Sequence, residues 1–83
     1  GMLFVFENED YQAFWMKNTL ISLDMIFISG DKKIVDIIQA EPCKEELCQT
    51  YSPKNKAKYV LEVNKGYSES RGIALGNSVK INL

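Results

Sequence analysis

Residues 14–19, Phe14-Trp15-Met16-Lys17-Asn18-Thr19, hold the densest chemistry in this 83-residue chain. On an extended strand alternate side chains share a face. With Phe14 and Met16 turned to a core, Trp15 and Lys17 face away from it together. Asn tolerates left-handed backbone, so Asn18-Thr19 reads as a turn, and Asp24 then opens the next strand within reach of Lys17. An indole platform beside amine, amide, hydroxyl and carboxylate groups suits a sugar or another small polar ligand. The expected ligand-binding set is therefore Trp15, Lys17, Asn18, Thr19 and Asp24. The structural alternative has Asp24 and Thr19 satisfying loop backbone, Lys17 laying its stem on apolar surface, and Trp15 in the core. Glu62 is a second lone acid, the polar member of an alternating run, and its plain role is to face water. If it lined the same concavity as Asp24, it would join the ligand set. The pair could then do the acid–base work of a carboxylate hydrolase or lyase.

The chain has no histidine. That excludes Ser-His-Asp and Cys-His catalysis, HExxH zinc sites and a histidine pH switch. No catalytic set, cofactor site or metal site is expected. Cys43 and Cys48 are the two cysteines. On a helix, side chains five apart differ by about 140° in direction and their Cα atoms lie beyond about 7 Å. On a strand they are further apart still. A disulfide therefore needs the segment to fold back as a turn, which Pro42 and the local charges permit. Free thiols buried as small hydrophobes are the alternative. Two ligands cannot complete a tetrahedral metal site, and the spacing is not CxxC.

The elements that must position these groups are short. An apolar run at 2–6 reads as a buried strand, Glu7 to Gln12 as a polar turn, and Ala13 to Lys17 as a second strand. Thr19 to Asp24 is a connection anchored by Ile21 and Leu23. Met25 to Ser29 and Lys33 to Ala40 form a hairpin around Gly30-Asp31-Lys32, with arms apolar enough to need cover on both faces. Glu41 to Lys56 holds both prolines and both cysteines and reads as a long loop with at most one helical turn near Pro42 to Leu47. Ala57 to Val63 returns to strand. Asn64 is a good helix N-cap, Lys65 to Arg71 a two-turn helix, and Gly72 its stop. Val79, Ile81 and Leu83 alternate in a last strand. The sum is a single domain, residues 1–83, of mostly β (α+β) class: a small rolled sheet or barrel of about six strands with one short helix near the C-terminus.

Hydrophobic residues make up 46% and charged residues 25% of the chain, ordinary values for a folded domain. Ten bases against eleven acids leave a net charge of −1, which argues against a nucleic-acid partner held by phosphate contacts. The charge is uneven. Residues 1–42 carry seven acids and three bases, and residues 43–83 four acids and seven bases. Lys54, Lys56 and Lys58 alternate, as on a solvated face or a protected edge strand. No apolar run reaches the 18 residues of a membrane span, so no membrane insertion is expected. Gly1 reads as a cloning scar, with Met2 the natural start. The apolar N-terminus has no basic flank or cleavage site, so it does not read as a leader, and the location is left open with cytoplasmic as the default.

The run from Phe14 to Ile28, Phe-Trp-Met-Lys-Asn-Thr-Leu-Ile-Ser-Leu-Asp-Met-Ile-Phe-Ile, resembles a phrase of DUF192, a domain family of unknown function. The likeness continues through Lys33-Ile34-Val35, Ala40-Glu41-Pro42, Tyr51, Tyr59 to Gly66, and Gly72-Ile73 with Leu75-Gly76-Asn77 and Val79. The resemblance implies a compact β-rich bacterial or archaeal domain with a short helix near its C-terminus, often exported, and no known reaction or cofactor. Ser22 stands where the family usually has Pro. The family usually has about thirty residues before the first strand that this sequence does not include, so the chain reads either as a fragment in which Gly1 is the family's own glycine or as a minimal version that starts at Met2. On either reading the sheet is expected to present an uncovered edge and to pair through it as a homodimer. The function expected is a non-enzymatic binding module for a small polar ligand or a partner protein. The alternatives are the carboxylate enzyme and a structural module without a small-molecule site.

Overall fold

The apolar runs at Met25–Ile28 and Ile34–Ile38 receive their two-sided cover from a three-layer arrangement. The computed structural model describes residues 1–82. Its elements are β1 (Met2–Asp10), β2 (Phe14–Trp15), β3 (Leu23–Ile28), β4 (Ile34–Ala40), β5 (Thr50–Tyr51), β6 (Ala57–Asn64) and α1 (Tyr67–Ser70). Four strands form an antiparallel sheet in the order β1-β6-β3-β4, and β2 pairs with β5 in a second, two-stranded sheet. The larger sheet is not closed into a barrel: β1 and β4 are its two edges.

Register decides what each face carries. Asp24 lies opposite Val63, Met25 opposite Glu62, and Ile26 opposite Leu61. Directly opposed residues share a face and successive residues alternate. One face thus presents Met25, Phe27 and Val60, which pack with Met16, Phe4, Phe6 and Phe14 from the β1 and β2 side. The Phe14 ring lies 5.3, 6.0 and 6.1 Å from the rings of Phe4, Phe6 and Phe27, tilted or edge-on, the arrangement that aromatic quadrupoles favour. The other face presents Ile26, Ile28 and Tyr59, covered by Ile73, Val79 and Ile81 from the C-terminal segment. Each fully buried Ile, Met or Phe here contributes roughly 1.5–3 kcal/mol.

Four local expectations change. Glu7–Asp10 continues β1 instead of turning, and the Glu9 carboxylate accepts the Gly30 N–H at the hairpin turn. Thr50–Tyr51, inside the supposed loop, is a strand because the chain reverses there onto β2, and residues 45–47 are bends with no helical turn. The helix is one turn, not two. Asn64 ends β6, and the N-cap is Gly66 at φ 91°, with no side-chain capping bond. The last strand is absent from the described residues: Ser78 makes a single bridge to Lys33, and Val79 and Ile81 lie against the sheet face. Leu83, its expected end, lies outside the described residues.

Candidate functional site

β3 begins at Leu23, two residues before the expected Met25, so Asp24 is a strand residue on the face that α1 covers. Its side chain is 1% exposed. Oδ2 accepts the Ser68 N–H at 3.0 Å, across 44 residues of sequence. This replaces the cap that Gly66 cannot supply, since the first turn of a helix leaves its N–H groups unpaired. Asp24 Oδ1 has no partner, and neither does the hydroxyl of Ser68, itself 5% exposed. These are the two unpaired buried side-chain polar atoms among the described residues. Asp24 and Ser68 line an open cavity of about 520 Å³, as shallow as a surface depression, with Ile37, Gln39, Glu69 and Ile73. Sequence reasoning missed Gln39, Ser68 and Glu69. The visible signal for the last two was the run of small and acidic residues Ser68-Glu69-Ser70 between Gly66 and Gly72, and Gln39 had none.

Trp15 and Lys17 do share the outer face of β2, as the alternation predicts. Trp15 is 57% exposed, so it is not core, and Lys17 Nζ stands 5.6 Å from the ring centroid, within cation–π range. Lys17 also donates to the Glu46 carbonyl at 3.4 Å, and so does not approach Asp24. Asn18 takes the turn conformation at φ 63°, and its N–H donates to the Cys43 carbonyl at 3.2 Å. Cys43 and Cys48 form a disulfide, Sγ–Sγ 2.10 Å, with Cα atoms 6.0 Å apart as the segment folds back. A groove of about 410 Å³ runs between Met16, Tyr51 and this loop. Its central polar group is already engaged: the Tyr51 hydroxyl accepts from Gln49 at 2.7 Å and from the Glu41 N–H at 3.4 Å.

Thr19 and Glu62 meet at a third place. They line a shallow depression with Gly1, Met2, Ile21 and Asn64. Glu62 pairs with Met25, so it lies on the sheet face opposite to Asp24. Desolvation holds its carboxyl above the ordinary carboxylate range. Glu41, by contrast, is held below that range by hydrogen bonds from Lys65 at 2.7 Å and from Ser22. The six predicted residues therefore divide among three sites: Trp15, Lys17 and Asn18 at the disulfide loop, Thr19 and Glu62 at one end of the sheet, and Asp24 beneath α1. The sheet itself separates the two carboxylates, which removes the shared cleft that a hydrolase or lyase pair requires.

The arrangement under α1 leaves hydrogen-bonding capacity unused at Asp24 and Ser68. An ionised carboxylate only accepts hydrogen bonds, a hydroxyl does both, and leaving either unpaired when buried costs about 1–3 kcal/mol. Among the described residues no group of three His, Cys, Asp or Glu side chains could hold a metal ion, and no helix is long and apolar enough to cross a membrane.

Comparison with known proteins gives consistent results. The model of the DUF192 family, described as Uncharacterized ACR, matches residues 1–81. A UPF0127 protein of Pyrococcus horikoshii is 30% identical over 73 residues, covering 88% of this chain and 56% of its own length. A second, from Pyrococcus furiosus, is 30% identical over 61 residues, covering 74% and 48%. This chain therefore spans about half the length of the curated relatives it matches. Among solved structures, a protein of unknown function from Novosphingobium aromaticivorans superposes with a TM-score of 0.85 at 33% identity, covering 96% of this chain and 56% of that one. A candidate transcription regulator from Sinorhizobium meliloti gives 0.78 at 35% identity, covering 94% and 59%.

Proposed function

The chain belongs to the DUF192 family, and on that premise we propose that it is a binding module, not an enzyme, that takes a small polar ligand in the cavity beneath α1. One observation carries this reading: Asp24 and Ser68, which line the same cavity, each bury a polar atom without a partner, Oδ1 and Oγ. The cost of leaving them so is recovered when a ligand supplies the missing hydrogen bonds. The separation of Asp24 from Glu62 by the sheet supports binding over carboxylate catalysis. A regulator's role exercised on DNA, by likeness to the Sinorhizobium protein, is poorly served by ten bases against eleven acids.

Thermal-shift measurements with a panel of sugars, diols, amines and small acids test the reading. A ligand in hundredfold excess over its Kd stabilises by about 2.7 kcal/mol, so at least one class is expected to raise Tm, and Asp24→Asn to abolish that rise. A panel without any shift sinks the proposal. A second reading, association with a partner protein, is favoured by the exposed apolar side chains of Met2, Leu3 and Val5 on edge strand β1 and by exposed Trp15. The partner for β1 in this reading is a second copy of the chain.

A further inference from the structure

We infer that the group bound in the cavity beneath α1 is an alkylammonium; this deepens the binding-module reading and rests on it. The titratable side chains of the lining are Asp24 and Glu69, both acids. The nearby cations make their direct contacts elsewhere: Lys65, which feels the Asp24 charge at a distance, pairs with Glu41 at 2.7 Å, and the Arg71 guanidinium lies over the Tyr67 ring at 4.9 Å. Asp24 thus has an unpaired oxygen with no basic side chain in the lining to neutralise it. A buried carboxylate is stable when a positive charge and hydrogen bonds compensate it.

An ammonium group brings one charge and three donors. The residues of the lining carry acceptors that match that inventory: Asp24 Oδ1, the Ser68 hydroxyl, and the side-chain carbonyl of Gln39 or the Glu69 carboxylate. The remaining lining, Ile37 and Ile73, is apolar, which suits the methylenes of an aliphatic amine. An anion would meet two acids, and a neutral diol would bring no charge to the Asp24 carboxylate, which only Lys65 opposes, from outside the lining. The same chemistry is carried by a free amine and by a lysine side chain.

Isothermal titration at pH 7 with a matched set tests this: 1,4-diaminobutane, Nα-acetyl-lysine amide, 1,4-butanediol and succinate. One or both amines are expected to bind, the diol and the diacid at least tenfold more weakly. Diaminobutane alone binding points to a free amine, and lysine amide alone to a polypeptide lysine; either supports the inference. Asp24→Asn is expected to weaken amine binding at least tenfold, and Glu69→Gln, at an exposed position that leaves the fold intact, severalfold. Amine binding unchanged in Glu69→Gln and in a folded Asp24→Asn overturns the inference. Diol or succinate binding that exceeds amine binding, and that Asp24→Asn abolishes, overturns the ammonium assignment and leaves the binding-module reading standing. Silence from all four probes, together with a silent wider panel, overturns both.

Discussion

A buried serine hydroxyl with no partner is a cost that a methyl group removes. Ser68→Ala is therefore expected to leave the unliganded domain as stable as before or up to about 1 kcal/mol more stable, read from urea midpoints at unchanged slope. Asp24→Ala has the opposite sign. It leaves the Ser68 N–H unpaired in a buried position and is expected to cost about 1–3 kcal/mol. A gain for Asp24→Ala would mean that the buried carboxylate costs more than its bond to the Ser68 N–H returns, and a loss of about 2 kcal/mol for Ser68→Ala that the hydroxyl is satisfied in a way the structure does not show. Glu62 makes a pH prediction. Burial raises its folded pKa above the ordinary 4.5, so the folded state holds its proton where the unfolded state has lost it. Its unfavourable contribution is absent below the unfolded pKa, grows as pH rises from there to the folded pKa, and is constant above. Glu62→Gln is expected to be the more stable protein at pH 7, with the advantage vanishing below about pH 4. Glu41 works the other way. Its depressed pKa gives stability above the unfolded value that is lost as pH falls through the folded one. Since both groups are largely in water, the two effects are small, and paired denaturation series of wild type and Glu62→Gln from pH 3.5 to 7 separate them.

The β2–β5 sheet has only two residue pairs, Phe14 with Tyr51 and Trp15 with Thr50, and a pair that short does not persist alone. The Cys43–Cys48 disulfide closes the turn that brings these strands together, and Cys43 also exchanges backbone bonds with Met16 and Asn18. For a loop this short the chain-entropy contribution is about 2 kcal/mol, so reduction is expected to lower Tm by about 10 °C in a domain of this size. Differential scanning fluorimetry with and without dithiothreitol measures it. Ligand binding beneath α1 should survive reduction below that Tm, because the cavity lies across the four-stranded sheet. Which elements were legible follows from the range of the forces that form them. The β3–β4 hairpin, the left-handed Asn18, the shared face of Trp15 and Lys17, and the glycine stop at Gly72 follow from local pattern, and the structure has all four. The bond from Ser68 to Asp24 spans 44 residues, so no local pattern could announce it. Whether Asp24 and Glu62 share a face depends on the β3–β6 register, and a shift of one residue would reverse the answer. Two-residue β5 is too short to show a period. The alternation at 79–83 was real, but Val79 and Ile81 serve to cover a face.

Taken as a whole, the sheet has two unlike edges. The outer side of β4 is partly occupied at its start: Ile34 exchanges backbone bonds with Asn77 and Gly76 at 2.9 Å, and Val79 N–H reaches the Lys32 carbonyl at 2.8 Å. Among the described residues β1 has no such neighbour on its outer side. It also lacks the usual defences of an edge strand, for Met2–Asp10 contains no lysine and no proline. Met2, Leu3 and Val5 are exposed beside it, and a net charge of −1 gives little repulsion between copies. Its acids, Glu7, Glu9 and Asp10, occupy only the second half. An antiparallel pairing of Met2–Phe6 with a second copy, centred on Phe4, would join the apolar halves and carry the two acidic halves to opposite ends. Pairing over the full strand would instead set Met2 against Asp10. The expectation is a monomer–dimer equilibrium that moves toward dimer as concentration rises from micromolar to millimolar, followed by sedimentation velocity. Leu3→Lys and Val5→Lys, on the exposed side of the edge, are expected to leave a folded monomer at every concentration. A wild-type chain that sediments as a monomer throughout that range would show that the bare edge of β1 is tolerated without a copy to cover it.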